Sequence, residues 1–208
     1  MNEHETPTNE QSPTGRSPLR SEFHHQLDDL RTDVARLAAM VTENIPRATA
    51  VLLDQDLEGA EAMIVADDAL DIESLELEER CYEMLALQQP VASDLRRIVA
   101  AVRIIHAIER SGDLTVNICK AARRIYGQRL DPRLRGLIRK MGEQATNLFK
   151  EATEAYLTDD AVRAAAIADM DSYLDDLQRE FVQAPFERHS IEHFEIQVAV
   201  QLAVVARF

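Results

Sequence analysis

IVAAVRIIHAIERSGDLTVNICK, residues 98–120, is the stretch whose reading decides the fold. With Leu95 just ahead of it, an apolar row at helical spacing runs through Ile98, Val102, Ile105 and Val116. At 100° per residue, Glu109 and Asp113 fall within about 40° of that row. The stretch therefore predicts one long helix with two carboxylates a turn apart beside a packing seam. Like charges at i,i+4 cost an isolated helix roughly 0.2–0.5 kcal/mol, and partial desolvation adds to that unless something positive shares the site. A divalent or trivalent cation is one candidate, and Arg110 is the other.

The rest of the composition suits helices. The 208 residues include six glycines, seven prolines, no Trp and 5% aromatics, which argues against a sandwich or barrel, and 46% hydrophobic content is enough for one large core or two small ones. A formal charge of -14 repels phosphodiester backbones and anionic headgroups, so nucleic acid and direct membrane insertion are excluded as readings, and cations or basic protein surfaces are favoured. Cys81 and Cys119 form no C-x-x-C pair and read as buried thiols in a reducing compartment. No apolar run reaches the roughly 20 residues of a membrane span, nor does the start resemble a signal peptide, so a cytoplasmic location is expected.

Working outward, residues 1–20 carry almost nothing to bury and read as a disordered tail. Ser21 is placed to cap a first helix whose apolar members run from Phe23 to Leu52, with a kink expected near Thr42 because Pro46 removes a donor. A turn at Asp56–Gly59 leads to a second helix, with Ile72, Leu75 and Leu87 counted among its apolar members. Gln88, Gln89 and Pro90 end it, and the proline is placed to open the third helix, which runs to about Tyr126. Asp131 and Pro132 open a fourth, Thr158–Asp160 turn the chain into a fifth, and a sixth begins near Ser190.

Ala66-Asp67 through Leu75 to Glu78 matches Ala168-Asp169 through Leu177 to Glu180 at an offset of 102 residues. The expected fold is all-α: two tandem antiparallel three-helix bundles, residues 21–128 and 129–208. By that offset the partner of Glu109 falls near position 211, so the second bundle is expected to be incomplete at Phe208.

Leu87-Gln88-Gln89-Pro90-Val91-Ala92, Asp94-Leu95-Arg96, and Glu109-Arg110-Ser111-Gly112-Asp113 followed by Asn117-Ile118 together resemble the PhoU family of phosphate-signalling regulators. The resemblance covers Phe23 to Phe208. It implies two three-helix bundles with E-x-x-x-D motifs that bind metal ions, iron or zinc in multinuclear clusters, with magnesium or manganese as alternatives. It also implies a negative regulator of phosphate-starvation signalling and phosphate uptake, an adaptor between a Pst-type transporter ATPase and a sensor histidine kinase, acting as a homodimer. Carried over by position, the metal residues are Glu109 and Asp113, with Asn117 one turn on. A helical-bundle metal-storage or carrier protein is the alternative.

The plainer readings stand beside these. Arg110 could pair with Asp113 at i,i+3, leaving Glu109 in water. The acidic run Asp67–Glu79 reads first as a solvated face, although Asp67, Asp68 and Asp71 are the nearest chemical types for further ligands. His106 could be another ligand or simply hydrogen-bonded; His189 and His193 have i,i+4 spacing without H-E-x-x-H, and His24 and His25 are expected to face solvent in part. Gly112 costs a helix about 1 kcal/mol against Ala, so either tolerance or a close approach by an ion, a phosphate or another helix accounts for it. No nucleophile elbow, Gly-rich phosphate loop or Walker lysine is present, and the chain is read as a non-enzyme.

Overall fold

In a computed structural model the described residues are 18–187 and 196–207, and they form six helices and no strand. These are α1 (Pro18–Asp54), α2 (Leu57–Gln88), α3 (Ala92–Arg124), α4 (Pro132–Thr158), α5 (Ala161–Glu187) and α6 (Ile196–Val205). The expected tail and the His189–His193 pair lie largely or wholly outside the described residues, and residues 18–20 already belong to α1. Ser21 is therefore inside the helix rather than at its cap. Pro18 opens α1 instead, where a missing N–H costs nothing. Helix α1 runs through Pro46 to Asp54, and the hydroxyl of Thr42 donates to the Ala38 carbonyl at 2.8 Å.

The connections are shorter than expected. Gln55 alone takes a left-handed backbone (φ 55°), and Asp56 caps α2 by accepting from the Gly59 N–H at 2.9 Å, so Leu57 and Glu58 are already helical. At the next turn Gln89 is left-handed, and α3 opens at Ala92 rather than at Pro90. Asp131 and Pro132 open α4 as expected, the Asp131 carboxylate accepting from the Arg133 N–H at 2.7 Å. Asp160 accepts from the Val162 and Arg163 N–H groups. Asp56 and Asp160 stand 104 residues apart at equivalent helix starts. At an offset of 102, exposed Leu75 would be matched with buried Leu177, so the structural register of the repeat is not the one the best-matching residues suggest.

Two cores hold the helices. One takes α1 from Phe23 to Ile45, α2 from Leu70 to Met84 and α3 from Ile98 to Ile108, with Ala145, Phe149 and Tyr156 of α4 packed against it. The other gathers the end of α1 (Ala48–Leu53), the start of α2 and the end of α3 with α4, α5 and α6. Helices α1 and α4 therefore each contribute to both cores. Their close approach is fixed at Gly142, where Thr49 occupies the space a Cβ would need. Helices α2 and α3 run antiparallel, with Glu61 paired to Arg123 (2.7 Å) at one end and Glu78 facing His106 (3.3 Å) toward the other.

A candidate carboxylate site between α2 and α3

The seam of these two helices positions the predicted site. On α2 the inward row is Ala60, Met63, Leu70, Ser74, Leu77, Cys81 and Met84, and on α3 it includes Ile98, Ala101, Ile105, Ile108, Gly112, Thr115 and Val116. Gly112 sits directly under Leu70. A Cβ there would lie 2.8 Å from Leu70 Cδ2 and 3.6 Å from Asp67 Oδ1, so the glycine is explained by the approach of another helix.

The close packing brings Asp67 and Asp71 of α2 into one electrostatic cluster with Glu109 and Asp113 of α3. Asp67 and Glu109 are half-buried, whereas Asp71 and Asp113 are exposed. Burial pushes the Asp67 carboxyl up to about 6, with the Asp71 and Asp113 carboxylates adding to the rise and Lys120 opposing it. Glu109 is raised first by burial, then by Asp113 and Asp71, with His106 opposing. Asp67 Oδ1 is buried and has no hydrogen-bond partner. Such an oxygen is a cost to the fold unless a proton or a cation reaches it.

Arg110 does not supply the missing charge: among the described residues, no ion pair within 4.0 Å joins it to Asp113. His106 eases Glu109 but gives Asp67 Oδ1 no hydrogen bond, and its Nε2 faces Glu78 Oε1 at 3.3 Å. Asn117 is half-buried one turn beyond Asp113. The sequence left open whether the acids of α2 reach Glu109: Asp71 acts on Glu109, and Asp67 is acted on by Asp113 instead, while Glu76 and Glu79 are exposed and take no part. Among the described residues, no three His, Cys, Asp or Glu side chains come together closely enough to hold a metal ion as they stand. The donors that do gather are carboxylate oxygens, the chemistry of hard cations rather than of soft thiolate sites.

The other candidates resolve more simply. Cys81 and Cys119 are buried free thiols, each pushed up to about 11 by burial, and Cys119 Sγ lies 3.7 Å from Met63 Sδ. His24 Nδ1 bonds the Arg20 carbonyl at 2.6 Å, and His25 is exposed. Concavities of about 280 and 630 Å³ form an apolar groove between α3 and the α4–α5 pair, sharing Ser111, Leu148 and Phe149, and a third of about 580 Å³ lies between α1 and α2 beside Ile72, Glu73 and Arg80. No described helix is long and apolar enough to cross a membrane.

Among the described residues, an all-helical scaffold with an acidic seam and apolar concavities defines a class, the helical-bundle proteins. The PhoU domain family matches residues 34–122 and 138–207, more than half of the chain, and the chain belongs to that family. It is 33% identical over 191 residues to the phosphate-specific transport system accessory protein PhoU homolog 1 of Mycobacterium leprae, covering 91% of this chain and 85% of that one. It is 34% identical to PhoU homolog 2 of Mycobacterium bovis, covering 91% and 89%. The crystal structure of PhoU from Pseudomonas aeruginosa superposes with a TM-score of 0.82 at 25% identity, over 89% of this chain and 88% of that one.

Proposed function

We propose that this chain is a negative regulator of phosphate uptake and of phosphate-starvation signalling, working on the cytoplasmic side as an adaptor between a phosphate transporter's ATPase and a sensor histidine kinase. The observation that carries the regulatory part is the match to phosphate-transport accessory proteins along 91% of the chain, joined to a fold that superposes on PhoU. The adaptor role and the homodimer come from the resemblance. The metal part is supported by the buried, unpartnered Asp67 Oδ1 in a cluster of four carboxylates, two of which, Asp67 and Glu109, are raised by burial and by their acidic neighbours. Glu109 and Asp113, with Asp67 and Asp71 opposite, would hold a hard cation, which would add to the partial compensation from Lys120 and His106.

An alkaline-phosphatase reporter in phosphate-rich medium tests it. In a strain lacking its own PhoU gene, this chain should restore repression. Unchanged reporter activity with soluble protein present would sink the regulatory reading and favour metal storage or carriage, which predicts indifference to phosphate.

A further inference from the structure

Helix α2 carries more apolar residues than its packing uses. Its buried row faces α1 and α3, yet Val65 is 64% exposed, Ile72 59%, Leu75 58% and Tyr82 50%. At 100° per residue these four fall within about 100° of one another, on the side opposite the buried row. Asp68, Glu76, Glu79 and Glu83 lie in the same sector, all exposed, and none has an ion-pair partner among the described residues. The face runs for about 25 Å along the helix at 1.5 Å per residue. It is an apolar stripe interleaved with uncompensated negative charge.

The charge selects the occupant. Helix α2 alone carries ten acidic residues and one arginine, so an anionic bilayer would gain the stripe's apolar area only against repulsion along its whole length. A second copy docking through the same face would set Asp68, Glu76, Glu79 and Glu83 against their own equivalents, because a two-fold contact is self-complementary. A homodimer would use another surface. What fits is a helix with leucine-type residues on one side and lysine or arginine along its flanks, the groups that both fill the stripe and neutralise its rim.

We propose that the outer face of α2 docks a basic amphipathic helix of a partner protein. The inference rests on the regulatory reading above only in supposing that a partner exists. It predicts an affinity that falls with salt, since the rim charges are exposed.

The test uses the full chain and a fluorescent 18-residue peptide of leucine and lysine at helical spacing, read by anisotropy. It should bind, and the Ile72→Ser, Leu75→Ser pair should weaken binding about tenfold. Both substitutions are on the exposed face, so folding should be retained, and helical circular dichroism checks this. Neutralising the rim with Asp68→Asn, Glu76→Gln, Glu79→Gln and Glu83→Gln should flatten the salt dependence. Equal binding of a sequence-scrambled peptide, or an unchanged affinity in the serine pair, overturns the proposal. So does concentration-dependent self-association that the serine pair abolishes, which would give the face to a second copy. Failure here leaves reporter repression standing, and failure of the reporter leaves peptide binding standing, so the two readings fall separately.

Discussion

Leu70 fills the space over Gly112: a Cβ on the glycine would meet Leu70 Cδ2 at 2.8 Å, and Leu70 is itself almost fully buried. Ala in place of Gly favours a helix by about 1 kcal/mol, while forcing a methyl into a filled core costs about 1–3 kcal/mol. Because Leu70 has little room to move, the second effect should win. Gly112→Ala is expected to destabilise the fold by about 1 kcal/mol in urea unfolding. Leu70→Ala opens the space, so adding Gly112→Ala to it should stabilise rather than destabilise. Strict additivity of the two changes would show that the helices do not meet there.

Asp67 makes the seam pH-sensitive. Its carboxyl is pushed from 3.8 to about 6 in the folded chain, so the folded state keeps a proton that the unfolded state has released. The stability tied to that proton is fully present below pH 3.8 and is lost as pH rises through about 6. Asp67→Asn removes the penalty of ionising there. After discounting for solvent screening of a partly exposed group, it should stabilise the chain by about 1 kcal/mol at pH 7.5. The gain should shrink toward zero near pH 4. A gain that is the same at both pH values would point to packing, not ionisation.

Much of this arrangement is legible in the sequence because local chemistry and tertiary packing agree. Asp131 with Pro132, and Gln89 with Pro90, mark helix boundaries by their own backbone requirements, and the structure puts boundaries there. In the row from Ile98 to Val116, Ile98, Ile105 and Val116 are buried and Val102 is half-buried, although Leu95 just ahead of it is exposed. Helix α2 defeats the same reasoning. Ile72, Leu75 and Leu87 are as apolar as Leu70 and Leu77, and spacing alone does not say which of two apolar faces meets the core. The site shows the same division. Glu109 and Asp113 are readable as an i,i+4 pair, but which acids of α2 lie opposite depends on how the antiparallel helices register, which Leu70 and Gly112 fix.

Arg31 joins α1 to the end of α4 in a way no motif announces. Its Nε and Nη2 donate to the Tyr156 carbonyl at 3.0 and 2.6 Å, Nη2 also lies 3.0 Å from Asp159, and the guanidinium stacks 5.7 Å from the Tyr156 ring centroid. The cation thus satisfies a carbonyl in the last turn of α4, where the helix dipole favours positive charge. Arg31→Ala should cost about 2 kcal/mol, the range for hydrogen bonds to a charged group. Arg31→Lys should recover less than half, since an ammonium lacks the planar fork that reaches the carbonyl twice. Chemical denaturation of the three proteins decides it, and full rescue by lysine would reduce the contact to simple charge.

Cation binding and like-charge repulsion pull the stability of the seam in opposite directions, which makes the proposed metal residues testable without any assay of signalling. Glu109→Gln with Asp113→Asn removes two charges from a cluster where Asp67 and Glu109 are already raised by burial and then by their acidic neighbours. In chelator, that double variant should therefore unfold at a higher temperature than the unaltered chain. Manganese should reverse the order. A ligand at 100 times its Kd adds about 2.7 kcal/mol to the folded state, and only the chain that keeps its carboxylates can gain it. The gain should be larger at pH 7.5 than at pH 5.5, because the cation competes with the proton on Asp67, whose carboxyl sits at about 6. Hard oxygen donors should also make manganese more effective than their affinity order against zinc alone would suggest. Should manganese leave both melting temperatures unmoved while the double variant still melts higher in chelator, the carboxylates would be a repulsive seam closed by protonation, with no cation site.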